Sequence, residues 1–305
     1  MSVLVAGGCG FIGANLVREL VAQGEEVVAF DLRPNVAPFK DIASKVKVVQ
    51  GDSTNIVDIL HVIRENNVRD IFHLIGLLAD VSQAKPLLAE AVSVGSTLNF
   101  LEAARLCGLG RIVYASSSAV YHPKEASPVK ESAATCPPSV YGATKVMSEF
   151  YGMHYHRMFG LDFVALRFTT LYGLGKVGGS TGIISQMIEK TAFGEPITVD
   201  VADAATDWLY IKDAVRGLLL ARRAADPQQR IYNIGGASYT VRQVADVVQR
   251  MIPDARIKLE AKRTFPWPPA YDISIAKAEL NYEPCYDIQR GVADFIEECR
   301  KVKRV

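Results

Sequence analysis

The chain has 305 residues, room for one large α/β domain or two modest ones sharing a core, which excludes a peptide hormone or a disulfide miniprotein. Hydrophobic residues at 49% and charged residues at 22% exclude intrinsic disorder, and 34 Lys plus Arg against 33 Asp plus Glu leave a net charge of +1, too little to attract nucleic acid or an anionic membrane. Five cysteines, at 9, 107, 136, 285 and 299, show no CxxC spacing, which argues against a disulfide framework or a structural zinc site and points to a reducing compartment.

From the N-terminus, Met1-Ser2-Val3-Leu4-Val5-Ala6 runs straight into glycines with no secretory pattern, so a cytoplasmic location is expected. The apolar run Val113 to Val120 is broken by three serines, and no span of about 18 apolar residues exists, so no membrane partner is expected. Short β-branched runs alternate with segments of helical period. Strands are predicted at Val3–Ala6, Glu26–Asp31, Val46–Gln50, Asp70–Leu74, Arg111–Ser116 and Asp162–Phe168, each nearly continuous in apolar residues as a strand buried on both faces requires. Helices are predicted at Ile12–Gln23, Ile56–Asn66 behind an Asp52-Ser53-Thr54-Asn55 cap region, Ala89–Cys107 and Val140–Phe159, three of them stopped by Gly24, Gly108 and Gly160. After Phe168 the alternation stops: Gly173, Gly175, Gly178, Gly179 and Gly182 crowd together, and prolines collect at 253, 266, 268, 269 and 284. Arg230–Ile234 reads as a strand that returns to the sheet. The fold class is therefore α/β, a Rossmann-type doubly wound parallel sheet over residues 1–168 with a return at 206–235, interleaved with a smaller substrate-binding region over 169–205 and 236–305.

Gly7-Gly8-Cys9-Gly10-Phe11-Ile12-Gly13 lies between the first strand and the first helix. Gly7 permits a tight turn, Gly10 lets backbone approach a pyrophosphate, Gly13 lets helix and strand pack closely, and the helix N-terminus attracts the anion. Asp31, 18 residues after Gly13, is placed to bond an adenosine ribose 2'-hydroxyl; its charge repels a 2'-phosphate and favours NAD over NADP, although Arg33 offers a phosphate partner. Asp52 is either an adenine contact or a helix cap. Tyr141 and Lys145, four residues apart, share one helix face, where an ammonium is expected to lower the phenol pKa towards working pH and make Tyr141 a general acid or base. Ser116, Ser117 and Ser118 close the fifth strand, at the carboxyl edge where parallel sheets present residues to ligands.

With these motifs in this order, the chain resembles an extended short-chain dehydrogenase/reductase, the branch that includes nucleotide-sugar epimerases and dehydratases. The resemblance runs from Val3 to about Pro284 and rests also on His73-Leu74-Ile75-Gly76, Ser116 to Tyr121, Tyr141-Gly142-Ala143-Thr144-Lys145, Leu166-Arg167, Leu171-Tyr172-Gly173, Asp207-Trp208 with Asp213, and Asn233-Ile234-Gly235-Gly236. It implies that Tyr141 is the catalytic acid/base, that Lys145 holds the nicotinamide ribose and tunes the tyrosine, and that Leu74 and Gly76 line the cofactor. It also implies that Ser117, four residues before Tyr121, binds substrate, with Ser118 as the alternative.

Departures from the family narrow the substrate. Thr170 stands where nucleotide-sugar members carry Asn, and Thr206 stands where they tend to place Arg before the Asp-aromatic pair, so two phosphate-side positions are neutral and short. Arg263 is left as a candidate anion contact, suited to one carboxylate or phosphate. Ser118-Ala119 replace the acidic pair of a dehydratase, and Ala6 and Ser93 replace a usual Thr and Asn. His73 reads as structural, and Trp267 either lines the substrate pocket or covers the core. His154 and His156 have no ligand at metal spacing, so no metal is expected. The reading favoured is an NAD-dependent dehydrogenase acting on a secondary alcohol of a small sugar, sugar acid or hydroxy acid. Its alternative is a nucleotide-sugar epimerase that retains NAD, and a regulator without chemistry is disfavoured by the intact Tyr141 and Lys145. By resemblance the chain forms a homodimer through the catalytic helix and the helix before it, with Phe150, Tyr151, Met153, Tyr155 and Phe159 as candidate surface.

Overall fold

The computed structural model describes residues 1–176 and 180–303; Gly178 and Gly179 of the glycine-rich stretch lie outside the described residues. A seven-stranded sheet forms from β1 (Ser2–Ala6), β2 (Val27–Asp31), β3 (Val46–Gln50), β4 (Val68–His73), β5 (Arg111–Ser117), β6 (Asp162–Phe168) and a late strand, Ile231–Ile234, in the order late strand-β6-β5-β4-β1-β2-β3, with every pairing parallel. Successive residues of β1 enter opposite cores: Val3 and Val5 face one, Leu4 and Ala6 the other, as the strand period of two demands. Runs nearly continuous in apolar residues are the consequence, and they made these strands legible.

On the first core pack α1 (Phe11–Ala22) and a later helix, Ile211–Arg223; on the second pack α2 (Ile56–Glu65) and the helix ending at Cys107. That last segment differs from its predicted single helix. Two short helices, α3 (Ala79–Ala84) and α4 (Pro86–Ala89), lead up to it, and the predicted Ala89–Cys107 span itself divides into a π-helical turn over Glu90–Gly95 and α5 (Ser96–Cys107). The catalytic-motif helix, α6 (Val140–Phe159), has its predicted bounds: Ser139 accepts a hydrogen bond from the Gly142 N–H at 3.1 Å, and Gly160 ends it in the left-handed region at φ 68°.

The second region contains elements of which the sequence predicts only the late strand, as Arg230–Ile234. They are β7 (Thr170–Tyr172), α7 (Ile183–Ala192), β8 (Ile197–Val199), β9 (Ala205–Tyr210), α8 (Ile211–Arg223), β10 (Ile231–Ile234, the late strand), β11 (Ala237–Thr240), α9 (Val241–Met251), β12 (Ile257–Leu259), α10 (Ser274–Leu280) and α11 (Ile288–Lys303). β11, β9 and β7 form a three-stranded sheet and β12 and β8 a two-stranded one, closing with α7, α9 and α11 around a core that includes Met187, Ile188, Trp208, Val244, Val248 and Phe295. The return to the large sheet therefore starts with α8 at Ile211; Thr206 to Tyr210 belong to the three-stranded sheet. No helix among the described residues is long and apolar enough to cross a membrane.

Strand order reverses at β1, which lies between β2 and β4. The crevice outside the carboxyl ends of β1 and β4 is where such sheets bind ligands, and it is built from the Gly7–Gly13 loop and the Leu74–Gly76 segment.

Candidate active site

The glycine loop is a shaped cradle. The Gly7 N–H donates to the Phe30 carbonyl at 2.8 Å, and Gly7 holds φ 80°, a value that other residues rarely adopt. A Cβ on Gly13 would overlap the Gly7 carbonyl oxygen, so only glycine lets α1 begin this close to the turn. Gly10 caps α1 without a side-chain hydrogen bond, which leaves the first N–H groups of the helix open to an anion. Asp31 stands at the rim of this cradle, its carboxylate accepting from the Cys9 and Arg33 N–H groups, each at 3.2 Å. Both hydrogen bonds fix the carboxylate without neutralising it. Arg33 itself is exposed. The Leu74 N–H bonds the Ala6 carbonyl at 3.0 Å, and Gly76 crosses the ammonium of Lys145 so closely that a Cβ there would stand 3.3 Å from it. Phe11 and Ile12 open α1 half-buried. These residues fit a dinucleotide. Asp52 is not the helix cap: its Oδ1 accepts from the Thr54 N–H at 2.9 Å and hydroxyl at 2.8 Å in a turn ahead of α2, whose N-cap is Asn55.

Strand alternation separates the three serines. Ser116 turns away from the crevice and donates to Glu149 at 2.5 Å, while Ser117 accepts from the Ala119 N–H at 3.2 Å, and its hydroxyl approaches that of Tyr141, favouring the phenolate. Ser118 approaches the hydroxyl of Tyr271, which is otherwise unpartnered among the described residues. Lys145 is buried, donates to the Ala115 carbonyl at 2.7 Å and lies 4.7 Å from the centre of the Tyr114 ring and 5.7 Å from that of Tyr141. Burial lowers its pKa to about 8, opposed by the carboxylate of Glu149. The expected lowering of the Tyr141 pKa is not what the structure shows: burial raises it, and only Ser117 acts in the other direction. The reason is placement, because Lys145 meets the aromatic face of Tyr141 and gives its hydrogen bond to the strand.

Two buried residues that the motif reading passed over join this group. Tyr114 is the floor beneath Lys145, and Glu149 continues the Tyr141, Lys145 face by one more turn. Glu149 also takes Arg167 of β6 in a buried two-pronged pair at 2.9 and 2.7 Å; Arg167 in turn donates to the Tyr121 hydroxyl at 2.7 Å, which donates to Asn233 at 2.7 Å. The i+4 spacing was the available signal for Glu149; nothing local marks Tyr114. His73 is buried between Phe100 and Tyr114, and its Nε2 lies 2.9 Å from the Thr97 hydroxyl. The Thr97 hydroxyl also lies 2.7 Å from the Ser93 carbonyl, and burial lowers the His73 pKa to about 3.

On the substrate side, the Thr170 and Thr206 hydroxyls bond each other at 3.0 Å, and the Trp267 indole N–H donates to Thr206 at 2.8 Å. Both threonines are buried, while Trp267 is half-buried and stacked on Phe265 with centroids 4.9 Å apart. Thr170 is thus engaged within the wall. Asp207, beside them, accepts from Thr169 and the Gly236 N–H, each at 2.8 Å, and burial raises its pKa to about 6. Arg263 is not an open anion contact: it is exposed, and both prongs grip Asp200, at 2.7 and 2.8 Å. Among the described residues no group of three His, Cys, Asp or Glu could hold a metal, and His156 turns its Nδ1 to the Leu161 carbonyl at 3.0 Å.

The family model for the NAD dependent epimerase/dehydratase family matches residues 3–235, which spans the glycine loop, Tyr141, Lys145 and Asn233. The chain belongs to this family. Its cofactor is accordingly NAD, as the cradle and Asp31 admit. Family members similar to it include the UDP-glucose 4-epimerase of Corynebacterium glutamicum, 27% identical over 82% of this chain and 80% of that protein. The mitochondrial L-threonine 3-dehydrogenase of Bos taurus is 24% identical over 96% and 81%. Among solved structures, an L-threonine dehydrogenase from Cupriavidus necator superposes with a TM-score of 0.89 at 25% identity, covering 98% of this chain and 99% of that one. The family thus brings both net oxidation and epimerisation to the same scaffold at similar distance, and the choice falls to the site.

Proposed function

We propose that this protein is an NAD-dependent dehydrogenase of a small polar secondary alcohol, with 3-hydroxy amino acids, other hydroxy acids and sugar acids as the substrate class. The observation that carries the reading is the Thr170, Thr206 and Trp267 chain. It puts three neutral, mutually bonded groups where a sugar nucleotide needs cations, and Arg263 is engaged by Asp200. In this reading Tyr141 removes the hydroxyl proton, Ser117 steadies the oxygen as charge develops on it and favours the phenolate, and Lys145, held by the Ala115 carbonyl, is placed to bind the nicotinamide ribose. When bound, the nicotinamide accepts the hydride.

Similarity to threonine dehydrogenases supports the class. The test is NADH formation across L-threonine, other hydroxy acids, aldonates and sugars, with Tyr141→Phe as control. Activity on a non-nucleotide alcohol that falls at least about a hundredfold in Tyr141→Phe is expected; no NADH from any of them sinks the reading. The second reading, an epimerase with retained NAD, draws on the UDP-glucose 4-epimerase likeness, and UDP-sugar interconversion without free NADH establishes it. We also propose a reducing, cytoplasmic setting, in keeping with the five free cysteines, and a homodimer through α5 and α6.

A further inference from the structure

We propose that Lys176 is a cofactor-binding residue whose ammonium meets the diphosphate carried by the glycine loop. Lys176 belongs to no recognised motif; it follows β7 in the second region, and its backbone N–H turns back to the Gly173 carbonyl at 3.3 Å. Yet the turn rests on the cradle. A Cβ at Gly173 would stand 3.5 Å from the Phe11 ring and one at Gly175 3.9 Å from it, and the Lys176 ammonium lies 5.6 Å from the centre of that ring. Phe11 is the first residue of α1, next to the Gly10 cap that has no side-chain hydrogen bond. A cation from the second region is therefore held beside the open helix N-terminus that the fold reserves for an anion.

The charge balance at Lys176 supports the same assignment. Burial lowers its pKa with no carboxylate opposing the shift, and no ion pair forms to it among the described residues. Four other cations drawn back from water hold carboxylates: Arg111 holds Asp162, Arg167 holds Glu149, Arg222 holds Glu25 and Asp70, and Lys212 holds Asp294 and Glu298, while Lys145, itself beside the cofactor crevice, gives its ammonium to the Ala115 carbonyl. Withdrawing an ammonium from water is unfavourable unless an anion compensates, and the phosphate oxygens of the dinucleotide are the anions that the adjoining cradle collects. The cation–π contact with Phe11 holds the ammonium in place meanwhile. Such a contact ties the second region to the cofactor, which the glycine loop alone does not.

The inference concerns cofactor affinity and stands apart from the choice of substrate, so its test reads binding and not turnover. Nucleotide-free wild type, Lys176→Met and Lys176→Arg are titrated calorimetrically with NAD, ADP-ribose and adenosine. Lys176→Met is expected to weaken NAD and ADP-ribose about tenfold or more, with a shallower salt dependence, and to leave adenosine unchanged, while Lys176→Arg retains most of the affinity. Equal ADP-ribose affinity in wild type and Lys176→Met overturns the proposal. So does a parallel loss for adenosine, which reports a displaced loop, or unchanged NAD binding with a raised KM for an acidic substrate, which assigns the ammonium to substrate instead.

Discussion

At the scale of single residues, the site works through groups that the sequence does not bring near one another. Lys145 titrates at about 8 because burial outweighs the carboxylate of Glu149 one turn away. Removing that carboxylate lowers the Lys145 pKa further, so Glu149→Gln is expected to move the alkaline limb of the kcat/KM profile to lower pH, by roughly one unit, with Glu149→Asp in between. An unmoved limb at unchanged KM refutes the coupling. His73 gives a stability prediction of definite sign. Its folded pKa of about 3 lies below the ordinary 6.5, so the unfolded chain binds a proton first, and stability falls as pH drops through 6.5 towards 3. His73→Phe keeps the ring packing against Phe100 and Tyr114, gives up the Thr97 hydrogen bond at about 1 kcal/mol, and should flatten that acid-side decline in urea-melt free energies. Spacing made the Tyr141 and Lys145 pair legible, because the two share a helix face, whereas Ser117 was separated from Ser116 and Ser118 only by the family resemblance. Tyr114 beneath Lys145 and Asp200 on Arg263 were not legible, because which charge finds which partner is decided by elements distant in the chain.

At the scale of elements, α6 is the part on which geometry depends most. A Cβ on Gly142 would overlap the Ala119 carbonyl, so the N-terminal turn of α6 is pressed against the turn that follows Ser117. Gly142→Ala must push Tyr141 away from Ser117. A displacement near 1 Å costs on the order of a hundredfold in rate, so kcat should collapse while circular dichroism still shows a folded protein; an active Gly142→Ala enzyme means the contact is slack. The Arg167 and Glu149 pair fastens the same helix to β6, and Arg167→Met, which leaves a buried carboxylate unpaired, should cost about 3–5 kcal/mol of stability in denaturant titration. The first-half elements were readable because buried parallel strands are mostly apolar and three of the four helices predicted between them are stopped by glycines. The second half hid its order: β7, β8 and β12 have three residues each, too few to show a period, and glycine and proline crowding masked the helices between them.

At the scale of the whole molecule, α6 carries two tasks on opposite sides. Its inner face presents Tyr141, Lys145 and Glu149, and its outer face leaves Met147, Phe150, Met158 and Phe159 exposed, with Leu106 of α5 beside them. Tyr151, Met153 and Tyr155, expected to share that surface, instead pack half-buried against the core. An apolar strip with Phe150 at 57% exposure is unfavourable in water; it is bordered by Arg105, 5.2 Å from the Phe159 ring centre and paired with Glu102, and by the exposed Arg157 of α6. A second copy of the chain presents the same strip, which is the condition for a self-complementary two-fold interface. Sedimentation equilibrium at micromolar concentration should therefore give a dimer, and Phe150→Glu, which places a charge at the centre of the strip, should give a monomer. Mass action adds an independent reading: the wild-type Tm should rise with protein concentration and that of Phe150→Glu should not. Because Tyr141 and Lys145 face the other way, Phe150→Glu should still bind ADP-ribose, and a variant that loses the nucleotide together with the partner would show that α6 needs its neighbour to hold the cofactor side in place.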